Sequence, residues 1–112
     1  MPRKISWIRA ALKDFGKFPE SVQNQMLFAL RLAARGEKAE TAKPFKGLGS
    51  GIFEIALPYR GAAYRAIYAV QIGEDIWVVH AFQKKSKTGI QTPKPDVDLT
   101  RKRIKRLKEE LR

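Results

Sequence analysis

From Ala63 to Ile72 and again from Asp75 to Phe82, apolar, β-branched and aromatic residues form two short runs separated by Gly73-Glu74. That pattern predicts an antiparallel hairpin with a short polar turn. Just upstream, Ile52, Phe53, Ile55 and Leu57 surround a single acid, Glu54, in a third strand that Pro58 is expected to close. Nearer the N-terminus the period lengthens. Ile8, Ala11, Leu12 and Phe15 fall at helical spacing and Gly16 ends the run, which predicts a short helix over about Arg9 to Phe15. Val22, Met26, Ala29, Leu30 and Ala33 form the stripe of a second helix, opened by Phe18-Pro19-Glu20 and stopped by Gly36. Ahead of both, Ile5 and Trp7 alternate within Lys4 to Ile8, as in an edge strand.

The intervening segments are polar or broken. Gly36 to Thr41 reads as solvated loop, and Lys43 to Gly51 as a basic, glycine-rich approach to the strand at Ile52. Thr92-Pro93-Lys94-Pro95 continues neither helix nor central strand and is expected to be a linker. Beyond it, capped by Asp96 or Asp98, Val97, Ile104, Leu107 and Leu111 mark one side of a final helix. The order is strand, helix, helix, three strands, helix. Strands joined by short turns pair antiparallel, so the class is α+β: a small antiparallel sheet with an N-terminal helical hairpin on one face and a C-terminal helix. The other face is expected to be free for function.

Composition bounds what such a fold does. A chain of 112 residues that is 44% hydrophobic supports one core, so residues 1–112 are expected to form a single domain. Its 23 Lys and Arg against 11 Asp and Glu give a formal net charge of +12, which points to a polyanionic partner. Nucleic acid fits better than a membrane surface, because the cations are interleaved with Phe45, Phe53, Tyr64 and Phe82, rings able to stack on bases. No helix combines a broad apolar face with a purely basic one, and no run has the length of a signal peptide or a membrane span. A cytoplasmic protein is expected. With no cysteine, one histidine and no carboxylate cluster, neither a disulfide, a thiolate nucleophile nor a metal site is expected, and no cofactor is implied.

The candidate chemistry gathers at the hairpin. Arg65 lies inside one strand, and the other runs out into Gln83-Lys84-Lys85-Ser86-Lys87, which delivers ammonium groups from the end of a buried strand. Together they suit a phosphate backbone. Blander readings stand beside this one: Arg65 snorkelling to solvent or pairing with Glu54, the lysines as a solvated loop, and His80 as a hydrogen-bonded core residue by alternation with Val78 and Phe82. The glycines at 47, 49 and 51 have no phosphate-loop spacing and read as a tight turn.

The segments KPFKGLGSGIFEIAL, YRAIY and VVHAFQKKSKTGIQTP, in this order after a helical hairpin, resemble the phage-derived branch of the RelE/HigB/ParE toxin superfamily over nearly the whole chain. That resemblance implies the fold derived above and the toxin half of a two-gene module. Such a toxin cuts mRNA on the ribosome and is silenced by a cognate antitoxin, here expected to be a helix-turn-helix protein encoded next to it. Arg65 matches the family's strand arginine that contacts the scissile phosphate, and Lys84 and Lys85 its basic residues at the end of the last strand. Some members carry two lysines where this chain has Glu54 and Ala56, and a late tyrosine that this chain lacks.

RNA can be cut by its own 2′-hydroxyl without a metal if a base takes that proton, an acid protonates the leaving oxygen, and cations stabilise the crowded anion. Arg65, Lys84 and Lys85 supply cations, a lysine or Glu54 is the candidate base, and His80 is a candidate acid. Lys43, Lys46, Gln83, Lys87 and Phe82 are expected to contact RNA. The alternative is a non-catalytic relative, a gyrase poison or a basic nucleic-acid-binding module, motivated by the missing strand lysines and tyrosine.

Overall fold

The computed structural model of the chain describes residues 2–84 and 91–111; Lys85 and Lys87, two of the expected phosphate-facing cations, lie outside the described residues. The element order is β1 (Ile5–Trp7), α1 (Arg9–Phe15), α2 (Glu20–Ala34), β2 (Ala42–Pro44), β3 (Ile52–Tyr59), β4 (Ala62–Ala69), β5 (Ile76–Lys84) and α3 (Lys94–Glu110). The strands form one five-stranded sheet in the order β1-β5-β4-β3-β2.

The class is α+β as expected, with one correction. The sheet is mixed, because β1 runs parallel to β5, with Ile5 opposite Ile76 and Trp7 opposite Val78, while every other pair is antiparallel. Arg3 explains how so short a strand keeps its register. Its guanidinium donates to the carbonyls of Val70, Glu74 and Asp75, and Ser6 Oγ donates to Asp75 Oδ2 at 2.6 Å, so the N-terminus is tied to the turn between β4 and β5.

The apolar stripe of α2 does what its spacing predicts. Val22, Met26, Ala29, Leu30 and Ala33 pack with Phe15 and Phe18 onto Ile55, Leu57, Ala66, Tyr68, Ile76 and Val78 on one sheet face. Each large side chain so buried contributes about 1.5–3 kcal/mol. Burial also pushes the Tyr68 phenol up to about 12. The helix ends as the sequence suggests: Gly36 takes φ +82, its N–H donates to the Ala33 carbonyl, and the Glu37 N–H reaches the Leu32 carbonyl. That double closure satisfies carbonyls the helix would otherwise leave open.

Boundaries moved for identifiable reasons. Pro58 does not close β3, which runs on to Tyr59 and turns at Arg60-Gly61, both at positive φ, into β4. In such a two-residue turn Tyr59 and Ala62 exchange hydrogen bonds, so the Pro58 nitrogen faces away from β4. On that side β2 has already ended, and the missing N–H costs nothing. Lys43 belongs to a short edge strand, β2, that three residues ending in proline do not announce. At the far end β5 continues two residues past Phe82, so Gln83 and Lys84 are held in the sheet. Pro95 sits in the first turn of α3, which begins at Lys94, and neither Asp96 nor Asp98 caps it.

The largest difference concerns the face expected to be free. Ile104 and Leu107 of α3 close a second core there with Leu48, Ile52, Ile67, Ala69, Ile72 and Val79. The C-terminal helix is therefore a lid over that face.

Candidate nucleic-acid interface

Pairing register decides which side chains share the face beneath α3. Residues directly opposite in a sheet point to the same side, and every second residue along a strand returns to it. Lys43 pairs with Glu54, Glu54 with Ile67 and Ile67 with His80; Ala56 pairs with Arg65 and Arg65 with Phe82; Ala63 pairs with Lys84. Lys43, Glu54, Arg65, His80, Phe82 and Lys84 thus occupy one lattice on one face. Gln83 is opposite Tyr64 and belongs to the other face. Lys46 lies exposed in the turn after β2.

His80 reaches this face only through an irregularity. Tyr68 pairs with Val78 but Ile67 pairs with His80, so Val79 is an extra residue in β5. The bulge lets Val79 and His80 both face α3 and parts His80 from Val78, with which strict alternation had grouped it. His80 lies 4% exposed, its ring stacked on Phe82 at 4.8 Å between centroids.

Arg65 is 6% exposed. Its Nη1 donates to Glu54 Oε1 at 2.8 Å, while the Thr92 hydroxyl donates to Glu54 Oε2 at 2.5 Å. Arg65 Nε is buried with no hydrogen-bond partner among the described residues. Lys84 Nζ donates to the Gln91 carbonyl at 2.5 Å. The Gln91-Thr92 segment therefore lies against both the guanidinium pair and the ammonium.

Two residues of α3 complete the arrangement. His80 Nε2 is 2.7 Å from Asp96 Oδ1, and Arg103 Nη1 is 3.1 Å from His80 Nδ1 and 3.0 Å from the Val79 carbonyl. A guanidinium only donates, so Nδ1 is the acceptor and the ring proton sits on Nε2, directed at Asp96. Burial lowers the Arg103 guanidinium below its usual value, with the Asp14 carboxylate opposing the shift. Beside these residues, Asp14, Lys17, Phe18, Tyr64, Phe82 and Gln83 line a groove of about 350 Å³ along β5 past the end of β1.

Thr92, Asp96 and Arg103 were missed as site residues. Asp96 reads as a cap, Arg103 as one of many helix cations, and Thr92 as linker. No local pattern marks them, because their partners lie between 16 and 38 residues away. Among the described residues no group of three or more His, Cys, Asp or Glu converges as metal ligands would, and no helix is long and apolar enough to cross a membrane.

A family described as phage derived protein Gp49-like (DUF891) matches residues 13–105. The fold is that of RelE toxins. A mutant E. coli RelE toxin in the free state superposes with a TM-score of 0.62 at 20% identity, covering 95% of this chain and 98% of that one. The isolated E. coli RelE toxin gives 0.60 at 21% identity over 79% and 89%. The Mycobacterium tuberculosis toxin–antitoxin complex RelBE2 gives 0.52 at 17% identity over 77% and 95%. No curated protein sequence matches the chain.

Proposed function

The chain belongs to the phage-derived Gp49-like family, and from that premise we propose that it is the toxin of a type II toxin–antitoxin module, a ribosome-dependent mRNA endonuclease acting in the cytoplasm. The observation that carries this reading is the single sheet face shared by Arg65, Lys84, Lys43, His80 and Phe82. Once the Gln91-Thr92 segment is displaced from that face, an RNA strand meets a guanidinium and an ammonium for one phosphate and a ring for the neighbouring base. The M. tuberculosis neighbour is a toxin bound to its antitoxin, which supports a cognate antitoxin here as well.

The chemistry begins with an exchange. The scissile phosphate takes the place of the Glu54 carboxylate on Arg65 and of the Gln91 carbonyl on Lys84. Glu54, released beside the 2′-hydroxyl, accepts its proton as the new P–O2′ bond forms; Lys84 or Lys85 is the competing base. Arg65 and Lys84 stabilise the charge that accumulates on phosphorus, and losing one such preorganised donor costs about 100- to 1,000-fold in rate. As the P–O5′ bond breaks, the leaving oxygen takes a proton from an acid. His80 serves only once Asp96 or Arg103 lets go, since both ring nitrogens are engaged while α3 is docked.

A second reading has its own support. Arg65 is already neutralised by Glu54 in a buried pair, as in a scaffold that binds nucleic acid or gyrase without cutting RNA. Mapping the 5′ ends of cellular mRNA by primer extension after brief induction separates the two. The endonuclease reading predicts discrete new ends that vanish in Arg65→Met/Glu54→Gln, a pair chosen so that no unpaired charge is left buried, with circular dichroism unchanged. Ends that persist in that variant, or an induced DNA-damage response with no new ends, would overturn it.

A further inference from the structure

Between Gln91 and Asp96 the chain touches four groups that the proposed cleavage uses. The Gln91 carbonyl accepts from Lys84 Nζ, the Thr92 hydroxyl donates to Glu54 Oε2 and lies 3.5 Å from Arg65 Nη1, and Asp96 Oδ1 is 2.7 Å from His80 Nε2. The link between these contacts is stiff. Pro93, at φ −57, is the residue just before α3 and Pro95 lies in the first turn, so a ring fixes φ at both, and Thr92 is restricted as the residue before a proline. With so few free torsions the stretch moves as one piece. Farther along α3, Ile104 and Leu107 are held separately in the core with Ile67 and Val79.

We propose that Gln91 to Asp96 is an autoinhibitory latch: the free protein keeps its own anion site and its histidine covered, and one displacement of this stretch with the first turn of α3 uncovers both. The inference rests on the cleavage reading and supplies its regulation. In the closed arrangement the chain's own oxygens stand in for phosphate oxygens, the Glu54 carboxylate on Arg65 and the Gln91 carbonyl on Lys84, and the Thr92 hydroxyl secures the first of them. Ile104 and Leu107 keep α3 on the sheet while its start lifts. A substrate phosphate binds only the open form, so its apparent affinity is the intrinsic one scaled by the open fraction. Weakening a latch contact therefore tightens binding, although the group removed makes no contact with the substrate.

Thr92→Val removes the hydroxyl and no charge. A short single-stranded 2′-deoxy oligonucleotide, which lacks the attacking hydroxyl and is not cut, is expected to bind this variant about 10- to 150-fold more tightly than wild type, the size of one hydrogen bond to a charged group. Amide hydrogen exchange from Asp96 to Thr100 is expected to rise by the same factor, because both measurements report the open fraction while reclosing outruns exchange. Thr92→Ser keeps the hydroxyl and is expected to match wild type in both. A gain in one measurement without the other overturns the latch. So does a Thr92→Val variant that matches wild type in both, or a Thr92→Ser variant that behaves like Thr92→Val. Mapping of mRNA 5′ ends reports separately: new ends from wild type with no tighter binding by Thr92→Val leave the endonuclease standing and remove the latch, whereas matched gains with no new ends from either protein do the reverse.

Discussion

Arg65 and Glu54 hold the sheet face together and, in the proposed function, also form its site. With side chains 8% and 13% exposed and 2.8 Å apart, they form an ion pair shielded from solvent screening. Breaking such a pair by removing one partner leaves the other charge buried, which costs about 3–5 kcal/mol, whereas replacing both with apolar groups is close to neutral. Glu54→Ala is therefore expected to lower unfolding free energy in urea by that amount, and Glu54→Met/Arg65→Met to recover most of it. An equal loss in the single and double variants would show that the pair is not coupled. The sequence offered this pairing as one reading of Arg65; the register that puts both residues on one face is set by the Arg60-Gly61 turn between β3 and β4. His80 was less legible. Its environment follows from one inserted residue, Val79, and an alternation count has no means of seeing a bulge.

Among the elements, α3 matters most and was read least well. Its apolar stripe was visible, but not what the stripe would cover, because the sheet face it closes is assembled from residues tens of positions upstream. The same limit explains the parallel pairing of β1 with β5 and the existence of β2, both set by contacts across the chain. By contrast the hairpins, the α2 stripe and the Gly36 stop are local and were legible. Polar contacts hold the start and the middle of α3 to the sheet: Thr92 to Glu54 just ahead of it, Asp96 to His80 in its first turn, and Arg103 to His80 and the Val79 carbonyl halfway along. Asp96→Ala removes the first of these without disturbing Ile104 or Leu107. Amide hydrogen exchange in the first two turns of α3 is expected to speed up about 5- to 150-fold, corresponding to about 1–3 kcal/mol for a buried group left without its hydrogen-bond partner, while α2 keeps its protection. Uniform acceleration through the whole chain would mean that α3 is part of the global unfolding unit and not a separable lid.

At the scale of the molecule, the excess of positive charge and the two cores belong to one design. The α1–α2 side of the sheet carries the larger cluster and fixes the platform. The α3 side combines a smaller cluster with the residues proposed to meet a phosphate. The net charge of +12 draws a polyanion toward the surface but does not choose a place on it. In the proposed function that choice falls to preorganised groups, above all the Arg65 guanidinium, whose Nε has no hydrogen-bond partner among the described residues. Nuclear magnetic resonance of the arginine Nε–H groups tests this centre directly, with a dinucleotide whose 2′-hydroxyl is replaced by hydrogen so that it binds without being cut. Saturating binding is expected to shift the Arg65 Nε–H resonance, and the shift is expected to disappear when Lys84 is replaced by Met. A dinucleotide that binds and moves only the exposed arginines, leaving Arg65 unchanged, would contradict the account at its centre.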